Sequence, residues 1–389
     1  LPKSIHKKER RMKRHVAIAV AAAILLAGCN GQKGKGNLHE SGTVEYAKYF
    51  TIEDADSTIK KITVADMWSG GESYQTYTLV PREIYGSFIN DPYALPCPVE
   101  RAVCMSTSHV AYLNALGKSE TIKGVSGTRF IYDSTARALV MEDKIKDVGT
   151  ESLPNYELIM SLNPDIVFAY GISGADNTYI SKLRELGIKV MAIGDYLENH
   201  PVGRMEYIKI FGLLTGETRK ADSIYTYARD AYISLKNSIA ERETKKTKVL
   251  INSPYNGLWY IPGAENYMSR LVEDAGGTIL GSRKGETKSS IAGIETVYRY
   301  ALNADVWLNP GDMSLETLKK ANPLFAGIPS ISDRQVYNNS KRRTPAGGSD
   351  FWERGAVEPH VILKDLSIIL HPELRTTDTD TLKYHYRLE

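Results

Sequence analysis

Cysteine is scarce: the 389 residues hold three, Cys29, Cys97 and Cys104, with no C-x-x-C pair. That excludes a disulfide-stapled scaffold and a cysteine zinc ribbon. The stretch CPVERAVC (97–104) reads as a turn running into a strand. Seven extended residues span about 23 Å, far beyond disulfide reach, so both thiols are expected free unless the flanking prolines fold Cys97 back. Catalytic motifs are missing too: no G-x-S-x-G turn, no H-E-x-x-H, no glycine-rich phosphate loop after a first strand. "STSH" (106–109) has adjacent polar groups but lacks that nucleophile turn, so no enzyme is expected. No apolar run reaches the roughly 20 residues of a membrane-spanning helix. An excess of charge is also lacking. The formal net charge is +3, and the first 28 residues carry seven basic side chains against one acidic, which leaves the remainder at −3. Nothing argues for a nucleic-acid partner.

What is present begins with that basic front. Lys3 to Arg14 precede VAIAVAAAILL (16–26), which is followed by small residues. This is the layout of a secretory signal, residues 1–28, with Met12 the expected start and 1–11 an upstream extension. Leu26-Ala27-Gly28-Cys29 resembles the lipobox of bacterial lipoproteins. The resemblance implies that Cys29 is diacylated and becomes the new N-terminus; a plain signal with a chance cysteine is the alternative. Each buried CH₂ of an acyl chain contributes about 0.8 kcal/mol, so several chains tether stably. The protein is then membrane-tethered through Cys29, facing the periplasm or lying at the cell surface. Polar, glycine-rich residues follow, so 29–43 reads as the lipidated cysteine with a flexible leash.

Residues 44–96 are expected to add a β-hairpin over 60–82, lying beside the first domain, because Val, Ile, Thr and Tyr flank SGGE. From Arg101 strands alternate with helices, the pattern of a parallel sheet covered on both faces. The sequence therefore predicts an α/β fold of two similar Rossmann-like lobes, 97–202 and 246–375, with connecting helices over 203–245 and a tail at 376–389. Ala221, Ile224, Ala228, Ala231, Leu235 and Ile239 mark one face of a helix over 218–242. At 1.5 Å per residue it extends about 36 Å, a stiff bridge that limits hinge opening.

One unit occurs twice. PNYELIMSLNPDIVFAY (154–170) and AGIETVYRYALNADVWLNPG (292–311) each carry a glutamate at the start of a helical segment, then Asn-x-Asp, then an apolar strand. A carboxylate in a first helical turn is favoured by the dipole, so helix capping is one reading of Glu157 and Glu295. Lipobox, two α/β lobes, connecting helix and paired E…N-x-D-[IV] units together resemble the substrate-binding proteins of ABC importers for ferric siderophores, haem or cobalamin. The resemblance covers about 97–372. It implies a monomer without an intrinsic cofactor that delivers its ligand to a permease dimer with ATPase subunits. It also implies that Glu157 and Glu295 dock onto permease arginines, one from each lobe.

The ligand is expected outside the carboxyl ends of the strands, between the lobes. The loops there supply Tyr132, Tyr170, Tyr255, Trp259, Tyr260 and Trp352 as flat walls, and Arg129, Arg283, Lys284, Arg342 and Arg343 as partners for anionic oxygens. Core packing and plain surface solvation are the alternatives. Tyr170 and Trp352 match family positions where aromatic residues often touch ligand. Arg354 is expected to pair within its own loop. The cargo expected is an iron complex, with cobalamin as the alternative. Bare Zn²⁺ or Mn²⁺ needs three or four converging His, Asp or Glu groups, and among eight histidines only His109 falls in a cleft loop.

Overall fold

The computed structural model describes residues 44–55, 59–66, 73–171, 178–242, 245–321, 323–374 and 381–389. The signal segment, Cys29 and its leash lie outside these residues, as do 67–72, with the expected SGGE turn, and 172–177.

Strands β1 (Phe50–Asp54), β2 (Lys60–Ala65), β3 (Tyr74–Pro81) and β4 (Ala94–Cys97) form one sheet in that order. β2 and β3 are the expected antiparallel pair, with Ile62 opposite Tyr77. The expectation of a hairpin beside the lobe is corrected: the sheet has four strands, and its inner face is core. Ile62 and Val64 flank the polar Thr63, Tyr77 and Leu79 flank Thr78, and all four are buried in one cluster with residues of both lobes. The Tyr77 hydroxyl donates to the Val190 carbonyl at 2.6 Å. The chain enters this sheet along residues 45–49. There the backbone amides of Glu45, Tyr46 and Ala47 all donate to the buried Glu206 carboxylate at 2.7–2.9 Å, and those of Lys48 and Tyr49 to Glu198.

The first lobe runs β5 (Ala102–Cys104), α1 (Thr107–Ala115), β6 (Ile122–Val125), α2 (Ser134–Met141), β7 (Lys146–Asp147), a hairpin of β8 (Gly149–Thr150) and β9 (Leu153–Pro154), α3 (Tyr156–Ser161), β10 (Ile166–Ala169), α4 (Thr178–Glu185) and β11 (Val190–Ala192). Its sheet order is β11-β10-β5-β6-β7, all parallel. β5 and β10 are unbroken apolar runs, as strands covered on both faces must be. Helices α5 (Pro201–Glu206) and α6 (Ile208–Leu214) lead to α7 (Thr218–Ala240), whose 23 residues rise about 35 Å.

The second lobe runs β12 (Thr247–Ile251), β13 (Trp259–Ile261), α8 (Tyr267–Asp274), β14 (Gly277–Ile279), β15 (Ser290–Ala292), α9 (Ile294–Ala301), β16 (Val306–Leu308), α10 (Leu315–Ala321), α11 (Pro329–Ser332), β17 (Val336–Asn338), α12 (Pro359–Leu370) and β18 (Tyr386–Arg387). Its sheet order is β14-β12-β16-β17-β18. Without β7 and β18 the two sheets have the same four-strand parallel order, so the duplication is topological. Each lobe then adds one strand at an opposite edge. The expected tail at 376–389 is corrected accordingly. β18 pairs antiparallel with β17, and Asp365 of α12 accepts the amides of Lys383, Tyr384 and His385 at 2.7–3.0 Å.

Candidate functional site

In both sheets the first strand lies between the second and the third: β5 between β6 and β10, β12 between β14 and β16. The chain departs in opposite directions there, which opens a crevice beyond the strand ends. A cleft of about 500 Å³ occupies this place. Ser106 and Thr107 after β5, Tyr170 after β10, Tyr196 after β11 and Arg204 of α5 line one side; Asn266, Tyr267 and Met268 at the start of α8, with Trp352, line the other.

Tyr170 and Tyr196 meet edge to face at 4.8 Å, and the Tyr196 hydroxyl donates to the Gly171 carbonyl at 2.8 Å. Burial pushes the Tyr170 phenol up, and Asp195 adds to the shift, so it stays protonated. The Arg204 guanidinium lies 5.3 Å from the Tyr267 ring and 5.8 Å from Trp352. Its Nε donates to Asp195 at 3.2 Å, and Tyr112 holds its backbone carbonyl at 2.7 Å. Burial opposes the charge on Arg204, but Asp195 and the surrounding tyrosines outweigh it and keep the guanidinium ionised.

Tyr170 and Trp352 line the cleft; the other residues named from the sequence do not. Trp259 is 1% exposed, stacks on Phe325 and donates Nε1 to the Ile251 carbonyl, so it is core. Tyr255 stands 69% exposed on a turn, and Tyr260 of β13 is also exposed. Three of the expected arginines are paired away from the cleft: Arg283 faces Glu286 at 3.6 Å, Arg342 pairs with Asp350 at 2.6 Å, and Arg343 pairs with Asp312 of a different loop. Arg129 is exposed beside Phe130, and Arg342 covers the Tyr132 ring at 4.9 Å.

These last residues belong to a clasp between the lobes. Glu353 accepts the amides of Tyr132 and Asp133, each at 2.8 Å, and the Thr344 hydroxyl donates to the Arg129 carbonyl at 3.1 Å. Arg354, expected to pair within its own loop, reaches Asp133 across the interface at 2.9 Å, nearer than its Asp350 neighbour at 4.0 Å. Burial pushes Glu353 up to about 7; the two amides oppose the shift, while Asp350 and Asp133 support it.

His109 is fully buried among Phe168, Tyr170 and Phe211, and burial lowers it to about 4. Among the described residues no three His, Cys, Asp or Glu side chains converge as metal ligands. Cys97 and Cys104 are free thiols, raised by burial.

Glu157 and Glu295 occupy the second position of α3 and α9, each one helix before the third shared strand. Both are exposed, and neither forms an ion pair among the described residues. Asn155 caps α3 by accepting from the Leu158 amide at 3.0 Å, so Glu157 does not serve as its cap. Sequence reasoning missed Tyr196, Arg204 and Asn266–Met268. The available signal for Arg204 was a charged side chain, with Glu206 and Lys209, inside the largely apolar run PVGRMEYIKIFGLL.

Two lobes of one strand order, a helical connection and an aromatic cleft at paired switch points define a two-lobed solute-binding protein. The chain belongs to the periplasmic binding protein family, whose model matches residues 103–342. Proteins of this family are transport proteins that hand small molecules to ABC permeases. An uncharacterized lipoprotein of Methanocaldococcus jannaschii is 29% identical over 288 residues, 71% of this chain; the chain spans 66% of that protein's length. Two of the many solved structures that share the fold illustrate the likeness. One is a periplasmic binding protein from Veillonella parvula, 18% identical with a TM-score of 0.58 over 80% of this chain and 98% of that one. The other is a periplasmic heme-binding protein from Pseudomonas aeruginosa, 16% identical with a TM-score of 0.56 over 75% and 98%. No helix among the described residues is long and apolar enough to cross a membrane.

Proposed function

We propose that this protein captures an iron complex, a ferric siderophore or haem, between its lobes and delivers it to the permease dimer of an ABC importer. The observation that carries this reading is the 500 Å³ aromatic cleft at the paired switch points. Its volume falls within the roughly 300–1,000 Å³ of small-molecule sites. Tyr170, Tyr196, Tyr267 and Trp352 offer flat faces to a planar or compact chelate. A corrinoid with its nucleotide loop needs more room, which ranks cobalamin second.

Glu157 and Glu295 are read as the docking carboxylates. Equivalent exposed charges on two lobes meet two cationic sockets only at a suitable lobe separation, so docking senses lobe geometry. Cys29 is read as the lipid-anchored residue, in keeping with LAGC and with the related protein described as a lipoprotein.

The test is titration of tryptophan fluorescence on a variant starting at residue 37. Its panel holds ferric catecholate, ferric hydroxamate, ferric citrate, haem and cyanocobalamin, with Zn²⁺ as control. Saturable quenching by one iron complex below micromolar concentration is expected. A response to Zn²⁺ alone, or silence from a folded sample, refutes the cargo reading.

A further inference from the structure

Resting on that cargo reading, we infer that the bound complex carries an acidic group, a carboxylate or comparable oxyanion, that pairs with Arg204 while its flat part lies among the cleft aromatics. Among the described residues lining the cleft, Arg204 is the only ionised side chain and there is no carboxylate. The residue is 5% exposed, so its charge is largely dehydrated and its interactions are stronger than at a surface. Asp195 is fully buried, does not line the cleft and engages Nε. Tyr267 also hydrogen-bonds the guanidinium, and the terminal nitrogens carry the donors left over, a planar group suited to an oxyanion.

A second feature points the same way. α1 and α8 both begin at the cleft, one from each lobe, capped by the side chains of Ser106 and Asn266. Each helix start carries up to about half a positive charge. Asp195 cancels part of the guanidinium charge, so the site balances about one negative charge on a ligand. A triply charged tris-catecholate is left uncompensated there. The cations of the outer loops do not make up the difference: Arg283, Arg342 and Arg343 are paired with carboxylates, and neither Arg129 nor Lys284 lines the cleft.

The experiment compares haem with its dimethyl ester, a ferric tris-catecholate, a neutral ferric trihydroxamate and cyanocobalamin. Each is titrated into the wild type, Arg204→Gln and Arg204→Lys, with circular dichroism as the check on folding. The wild type is expected to prefer haem over its ester by about 10- to 100-fold, the factor for charged hydrogen bonds lost. Arg204→Gln is expected to bind both alike at the weaker affinity, and Arg204→Lys to retain part of the preference. If Arg204→Gln fails to fold, the comparison of acid and ester on the wild type decides alone. Equal binding of haem and ester overturns the inference, as does an unchanged ratio in folded Arg204→Gln. Tight binding of only the tris-catecholate or the neutral trihydroxamate, or of cyanocobalamin alone, overturns it while leaving a ligand-binding transport protein. Silence of every probe on folded wild type removes the cargo reading along with the inference.

Discussion

An added Cβ at Gly348 would stand 1.9 Å from the Phe130 carbonyl oxygen and 2.5 Å from its carbon, both backbone atoms of the opposite lobe. Gly348 cannot slide away cheaply. Its amide donates to the Thr344 hydroxyl at 3.0 Å, its carbonyl accepts the Thr344 amide at 2.8 Å, and Arg343 bridges to Ser349. Gly348→Ala must therefore part the lobes locally by more than about 1 Å to restore ordinary contact. The bonds at risk are the Thr344–Arg129 bond and the two amides on Glu353. Above pH 7, where Glu353 is ionised, bonds to its charged group contribute about 1.5–3 kcal/mol each, so loss of the pair costs about 3–6 kcal/mol there. Two neighbours serve as controls. Gly347 has φ +93° and open space, so alanine there meets only backbone strain of about 1–2 kcal/mol. Gly327 has open space and no left-handed φ, so alanine there changes stability by less than about 0.5 kcal/mol. Urea denaturation orders the three variants, and small-angle scattering reports lobe separation. A Gly348→Ala protein as stable as Gly327→Ala would refute the clasp.

Charge reversal of Glu157 and Glu295 to lysine is expected to abolish transport into cells while ligand affinity in vitro stays unchanged; weakened affinity would sink the docking role. Trp259→Ala is expected to cost about 3–5 kcal/mol of stability and leave ligand binding intact, whereas Trp352→Ala should weaken binding at little cost in stability. Ligand affinity that drops in Trp259→Ala but not in Trp352→Ala would reverse those assignments. Glu353 gives a pH signature. Its native pKa of about 7 lies above the ordinary 4.5, so the folded protein keeps a proton that the unfolded chain has released. Its contribution to stability is full below that lower value, declines as pH rises toward 7 and is level above. Thermal melts of wild type and Glu353→Gln should therefore diverge across that window, the wild type losing ground; a pH-independent difference contradicts the assignment.

The lobes were legible because strands buried on both faces leave continuous apolar runs, such as IVFA at 166–169, separated by helical periodicity. The paired glutamates were legible because one supersecondary unit occurs twice with the same polar signature. The outer arginines misled because loop position does not reveal neutralisation: Asp312 and Asp350 lie far along or across a folded loop from the partners they meet. Trp259 misled for a related reason. It sits in a strand that folds back over the sheet, so a loop-like sequence holds a core residue. The buried face of α7 also differs in detail from the aliphatic pattern. Tyr225 and Tyr232 take the inner positions beside Ala221, Ala228 and Ile239, because tyrosines can bury their rings while their hydroxyls find partners, as Tyr232 does on Asp274 at 2.8 Å. β18 escaped notice since two residues at a sheet edge carry no periodicity.

The two fastenings at the chain ends have a mechanical consequence. One carboxylate, Glu206, gathers three successive amides where the described chain begins; another, Asp365, gathers three where it ends. Glu206 belongs to the connecting helices, not to either α/β sheet. Tension on the preceding segment is thus taken up by the connecting helices rather than by a strand of either α/β sheet. A pull from upstream therefore bears on the helix that also carries Arg204, and not first on the strands of either lobe.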